Sequence, residues 1–188
     1  PLPPLAKFAA RFGIVEWLAD PTLPVTVRNL EPEAQLRSLR ADSRQEPPSG
    51  PSEQLQAYWK RLQARLWRIP PDRPEDVLPW LRKVATAKRT ASVFAATGEQ
   101  RSPQTVALPR PSGAQAFEVI GIPFEAPGLY VVELESLRLG TSLLDKPQPM
   151  FVPTAALVTN LSVHYKWGRN ASLVWVTTLN TGKPVAEA

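Results

Sequence analysis

Glu133 and Glu135 are the residues of this chain best spaced for acid–base chemistry. They sit two apart in the run LYVVELE, and two residues along a strand advance about 6 to 7 Å. That separation suits the acid and nucleophile of a glycosidase. Alternating Glu on an outer strand face is also a common solubilising pattern, and this plainer reading is preferred. His164 is the sole histidine, and so the only candidate base for a nucleophile–His–acid arrangement. It falls in an alternating run, opposite Leu161 and Val163, and reads as a half-exposed strand residue rather than a metal ligand. No Gly-x-Ser-x-Gly elbow presents a serine, and neither a phosphate loop nor a Gly-x-Gly-x-x-Gly fingerprint is present. The absence of cysteine removes disulfides, a thiol nucleophile and thiolate metal sites together. No residue is therefore assigned a catalytic, cofactor-binding or metal-binding role, no cofactor is expected, and the chain is not expected to be an enzyme.

Binding chemistry has two candidates. Trp17, Trp59, Trp67, Trp80, Trp167 and Trp175 could build a sugar-stacking platform on a sheet. The competing role is core anchoring, since each tryptophan buries a large apolar area. Trp80 on an amphipathic helix and Trp175 in a β-rich run favour the core, which leaves Trp167, at a turn, as the exposed one. The second candidate is charge. Leu55–Thr90 holds nine cations (Lys60, Arg61, Arg65, Arg68, Arg73, Arg82, Lys83, Lys88, Arg89) against three anions (Asp72, Glu75, Asp76), more than the whole net charge of +5. Such a segment can face acidic partners, but charge runs more often keep a surface wet. No nucleic-acid partner is expected.

The elements that must position these groups are mostly short strands. The 188 residues include 22 prolines, roughly twice the usual share of about 5%, and proline is excluded from helix interiors and ladders. Pro1–Ala10 reads as an extended lead-in. Leu23–Val27 alternates as a strand, placed at an edge by Pro24. Arg40–Ser52, with three prolines and Gly50 near its end, is expected to be the least ordered internal segment. Glu53–Ile69 fits a helix in its first half and a strand over Gln63–Ile69. Asp72–Lys88 reads as a helix, capped by Asp72, with Pro74 in its first turn and Val77, Leu81 and Val84 as its buried stripe. Ser92–Ala96, Thr105–Leu108 and Gln115–Ile120 are short strands, and Leu129–Glu135 is a strand of high β propensity.

Gly140–Pro149 is a proline-stiffened connector and the expected domain boundary. Beyond it, Leu157–Tyr165 places Leu157, Thr159, Leu161, Val163 and Tyr165 on one face, the period of a half-buried strand. Gly168-Arg169-Asn170 supplies a turn through residues that tolerate positive φ. Ser172–Thr178 is the return strand, and Thr181-Gly182-Lys183-Pro184 a further turn. Residues 1–146 thus form one β domain with a helical and loop insertion at about 40–90, and 147–188 a linker with the opening strands of a second. Pro1 in place of Met points to a processed product or an excised piece. No apolar run reaches the ~18 to 20 residues that span a bilayer.

Three stretches carry a family resemblance. LVTNLSVHYKWGRNASLVWVTTLNTGKPVAEA (Leu157–Ala188) resembles the opening of a macroglobulin-like domain of bacterial alpha-2-macroglobulins. FEVIGIPFEAPGLYVVELES (Phe117–Ser136) resembles the closing strands of the domain before it, and PLAKFAARFGIVEW with LPVTVRNLEPE (Pro4–Glu33) the start of that domain. The resemblance implies a mainly β fold: an antiparallel macroglobulin-like sandwich with a helical insertion, followed by the opening strands of a second sandwich. It implies a structural module of a periplasmic protease-trapping inhibitor. The implied partners are neighbouring macroglobulin-like domains, target proteases indirectly, and a membrane reached only through a lipid outside this chain. The reactive thioester of that family needs a cysteine, so it does not lie here. The alternative is a carbohydrate- or anion-binding β-sandwich module of a cell-envelope protein. In either case the terminal strands expose edges and are expected to pair with the first domain or with a second copy.

Overall fold

The computed structural model describes residues 5–28, 62–95, 103–106, 108, 117–146 and 148–188. Its strands are β1 (Leu5–Phe8), β2 (Phe12–Glu16), β3 (Thr22–Arg28), β4 (Leu62–Ile69), β5 (Gln104–Val106), β6 (Phe117–Pro123), β7 (Gly128–Ser136), β8 (Met150–Thr159), β9 (Leu161–Trp167) and β10 (Ser172–Thr178). Two helices join them, α1 (Val77–Ala85) and α2 (Leu137–Leu143). The strands make a five-stranded sheet in the order β2-β8-β7-β4-β5, a three-stranded sheet β1-β3-β6, and a separate hairpin β9-β10. Pairing is antiparallel except for β2, which runs parallel to β8. Among the described residues no helix is long and apolar enough to cross a membrane.

β7 explains the layering. Its residues alternate between two separate cores, because successive strand side chains point to opposite faces. Tyr130, Val132 and Leu134 join Val25 and Val27 of β3 and Ile120 and Ile122 of β6 in the core between the two sheets. Leu129 and Val131 turn the other way, toward Trp80 and Val84 of α1 and Val93 beyond it. The five-stranded sheet is therefore covered on one face by the small sheet and on the other by α1 and the chain that follows it. A central strand covered on both faces reads as a continuous apolar run, and Leu129–Leu134 is one except at Glu133.

Several sequence expectations change. β8 pairs with β7 along its length, with Leu157 opposite Leu129 and Met150 opposite Ser136. The expected strand Leu157–Tyr165 is therefore divided: Leu157–Thr159 end β8 in the same sheet as Leu129–Glu135, against expectation, while Leu161–Tyr165 belong to β9 in the separate hairpin. A boundary at Lys146 falls before an integral strand of the first sheet. The sheets part instead at Asn160, a bend between β8 and β9. The connector Gly140–Pro149 begins as helix α2, because the Ser136 hydroxyl accepts the Leu139 N–H at 3.2 Å and caps it. The lead-in contains β1, paired to β3. β3 is the middle strand of its sheet, not an edge. It tolerates Pro24 because pairing with β1 stops at Phe8 opposite Val25, leaving β6 as its only neighbour there among the described residues.

α1 starts later than expected. Pro74–Asp76 forms one 3-10 turn, and Asp72 does not cap the helix. The Asp76 carboxylate is engaged by Arg73 at 3.1 Å and makes no side-chain cap either. Ser92–Ala95 is a turn rather than a strand. The strand Gln63–Ile69 is present as β4. The helical half of Glu53–Ile69, the loop Arg40–Ser52 and Trp59 lie outside the described residues.

Candidate functional site

The densest polar cluster lies where β4, β7 and the chain after α1 meet. Register places Arg65 of β4 directly opposite Glu133 of β7. The Arg65 guanidinium donates through Nη2 to Glu133 Oε1 at 2.7 Å and lies 3.1 Å from Glu135 Oε2. Ser92 Oγ donates to Glu133 Oε1 at 2.7 Å, and the Val93 N–H donates to Oε2 at 2.7 Å. The same serine oxygen accepts the Phe94 N–H at 3.0 Å. Phe94 and Phe151 flank the guanidinium, their ring centres 5.8 and 5.6 Å from its carbon, within cation–π range.

Glu133 is 0% exposed, which corrects its reading as an outer solubilising residue. The signal was present in the sequence: a run apolar on both sides of the alternation buries whatever sits within it. Burial foremost pushes the Glu133 carboxyl above the usual carboxylate range, aided by the nearby Glu135 charge. The Val93 N–H, Ser92 and Arg65 oppose the rise. Lys83 of α1 lies over the Trp80 ring at 4.7 Å. Its ammonium is lowered by burial and partly held up by the Glu133 charge. Both Glu133 oxygens already accept hydrogen bonds, and no face of the carboxyl opens to solvent. Glycoside hydrolysis needs both carboxyl groups at the sugar; this geometry instead clamps the Ser92–Phe94 turn onto the sheet.

The other candidates do not converge. His164 is exposed on the hairpin, with Nε2 3.3 Å from Ser162 Oγ and 3.4 Å from Thr177 Oγ1. Among the described residues no group of three or more His, Cys, Asp or Glu is placed to hold a metal. Trp80 of α1 is buried, and Trp17 and Trp67 pack on the two cores. Trp167 is 79% exposed, as its turn position predicts, while Trp175, expected in the core, is 51% exposed. Trp167 meets Tyr165 edge-on, ring centres 6.1 Å apart. Trp175 pairs with His164 and so lies on the opposite face, and no single platform forms.

The basic segment disperses in the same way. Arg65 is in the clamp, Arg68 donates to the Pro127 carbonyl at 3.0 and 2.6 Å, and Arg73 pairs with Glu75 and Asp76. The turn at Gly168-Arg169-Asn170 uses no positive φ; a side chain at Gly168 would instead overlap the Ala171 carbonyl. Gly182 does take φ +67, and the turn around it folds the tail back, with the Val185 N–H donating to the Val176 carbonyl at 2.9 Å.

Comparison with known proteins turns on this architecture. The structure is similar to the crystal structure of native alpha-2-macroglobulin from Escherichia coli spanning domains MG0-NIE-MG1, with a TM-score of 0.51 and 13% sequence identity. The fold is a macroglobulin-like β-sandwich. The likeness covers 98% of this chain and 48% of that one, so the chain spans about half the length of its multidomain neighbour. No protein-family model matches the sequence, and no curated protein does. At 13% identity the likeness concerns the fold, and it reaches the hairpin as well as the sandwich because it extends over nearly the whole chain.

Proposed function

We propose that this chain is a structural module of a bacterial alpha-2-macroglobulin, a periplasmic protein that traps proteases, and that it performs no catalysis itself. The supporting observation is the fold likeness over 98% of the chain to part of a multidomain neighbour of that kind. A module in such an assembly needs a rigid body and a surface for the next module. The doubly covered five-stranded sheet supplies the first and the exposed hairpin suits the second. Neighbouring macroglobulin-like domains are then the direct partners, proteases are met only by the assembled parent, and any membrane attachment comes from a lipid outside this chain. The test uses the parent polypeptide isolated from the cell envelope and treated with chymotrypsin. The expected product is a complex that still cleaves a small chromogenic peptide and spares a large protein substrate, and that is lost when this segment is deleted. Absence of protease capture, or capture indifferent to the deletion, overturns the reading.

One observation favours a second reading, a sugar-binding module: the exposed Tyr165 and Trp167 rings on one face of the hairpin. A glycan array probed with the protein and with Trp167→Ala decides it, since a stacking platform loses binding with the ring.

A further inference from the structure

A cleft of about 290 Å³ opens where three chain segments meet: the end of β1 with its turn into β2, the chain after α1, and the first half of β8. We infer that this cleft is a binding site for a small organic anion, a phosphate monoester or carboxylate carried on a compact apolar body. Lys7, Arg11 and Arg89 line it, together with Phe151, Val152 and Pro153. None of its described lining residues carries a carboxylate. The nearest acids in register, Glu133 opposite Pro153 and Glu135 opposite Phe151, are both engaged by Arg65. Among the described residues neither Lys7 nor Arg89 makes an ion pair. The cleft therefore combines positive charge that no described residue neutralises with an apolar wall, the combination that small-ligand sites use for orientation and affinity.

Its shape is held by the backbone. The Phe151 N–H donates to the Arg89 carbonyl at 2.8 Å, and the Ala155 N–H donates to the Arg11 carbonyl at 2.9 Å. The Thr154 hydroxyl donates to the Ala10 carbonyl at 2.8 Å. Arg11 donates through Nη1 to the Val84 and Ala85 carbonyls at the end of α1, which fixes the arginine in the wall and offsets the negative helix end. All three walls are thus riveted before any ligand arrives, and little ordering is needed on binding. Size narrows the ligand: small-molecule pockets run from about 300 to 1,000 Å³, so this one takes a single ring rather than an oligosaccharide or an extended peptide.

The experiment titrates phenyl phosphate, benzoate and phenol into the ¹⁵N-labelled protein and follows amide shifts. Saturable shifts at Ala9, Ala10, Arg89 and Val152 with either anion, absent with phenol, support the site. The tighter of the two anions identifies the head group. Arg89→Gln is the first variant, because its backbone bond to Phe151 survives, and Lys7→Gln the second should the first fold poorly. Each is expected to weaken anion binding about tenfold, the scale of one charge-assisted hydrogen bond, and added salt to weaken it further. Phenol binding as well as the anions, shifts that never saturate, or unchanged affinity in the folded variant overturns the proposal.

Discussion

β7 with β8, and β9 with β10, are two antiparallel pairs of similar length and similar richness in branched and aromatic residues, yet they end in opposite environments. Val131, Val132 and Leu134 of β7 are at most 1% exposed, whereas Val163 of β9 is 65% and Leu173 of β10 57% exposed. β propensity and alternation are shared, so neither decides burial. What differs is what covers each face. β7 has the small sheet on one side and α1 on the other, while among the described residues the hairpin pairs only with itself and, at Thr177, with Pro184 of its own tail. Alternation fixes which residues share a face, and only tertiary cover fixes whether that face is dry.

The sharpest way to break this comparison is to remove the same side chain from both places. Leu134→Ala empties a fully buried position in the core between the sheets and is expected to destabilise by about 2 to 5 kcal/mol. Leu173→Ala should change stability by no more than about 0.5 kcal/mol. Urea denaturation of the two variants measures both. Similar losses would mean that the hairpin is as well packed as the sheet.

The next largest effect belongs to the clamp. Glu133→Ala leaves Arg65, Ser92 and the Val93 N–H without their acceptor. A loss of about 2 to 4 kcal/mol is expected, given that breaking a buried pair strands its partner and that Arg65 stays partly exposed. The isosteric Glu133→Gln adds a pH test. The folded carboxyl is raised above its ordinary value near 4.5, so it holds its proton more tightly folded than unfolded. Its stabilising contribution is complete below that value and is lost as pH rises through the folded pKa. The stability difference between wild type and Glu133→Gln should therefore move against the wild type as pH rises above 4.5. Denaturation at about pH 4, 5.5 and 7 reads the slope. A difference growing in favour of the wild type would show that attraction to Arg65 outweighs burial.

Much of the five-stranded sheet was legible in the sequence, and its assembly was not. Gln63–Ile69 and Leu129–Glu135 each announce a strand, and the stripe Val77, Leu81 and Val84 announces α1. The Arg65–Glu133 pair depends on register between strands separated by the whole α1 region, and no local pattern encodes that pairing. Pro147 and Pro149 read as a boundary because they break local structure. Pro149 does lie between α2 and β8, but a break between elements is not a break between sheets, and β8 re-enters the sheet at once. Trp175 was misplaced for a related reason: its β-rich surroundings identify a strand and carry no information about what lies over it.

Gly140 sharpens the comparison at the α2–β8 junction. A Cβ there would overlap the Gln148 carbonyl and crowd Met150 N at 2.9 Å, and backbone cannot swing aside as a side chain can. Gly140→Ala is expected to destabilise by about 1 to 3 kcal/mol. Gly13→Ala in β2, where an added Cβ meets nothing within 4 Å, should be neutral or slightly stabilising. A melting-temperature comparison of the pair is sufficient, and equal shifts would argue that α2 does not pack tightly on β8.

The smallest effect on stability, and the most direct test of the hairpin as a surface, comes from Trp167. It is 79% exposed, so Trp167→Ser removes little packing and should leave the unfolding midpoint nearly unchanged. Its consequences lie outside the fold. Leu161, Val163, Tyr165 and Trp167 share one face of β9, and cross-strand register adds Val174 to it. Contiguous exposed apolar faces are the kind of surface that partners use, and the edge of β9 that no described residue pairs offers backbone groups to another strand. Analytical ultracentrifugation of wild type and variant over a range of concentrations separates the two uses. If a second copy covers the face, self-association falls with Trp167→Ser while stability holds. If the next module of a parent chain covers it, the isolated chain stays monomeric in both forms, and the variant loses only its affinity for that module.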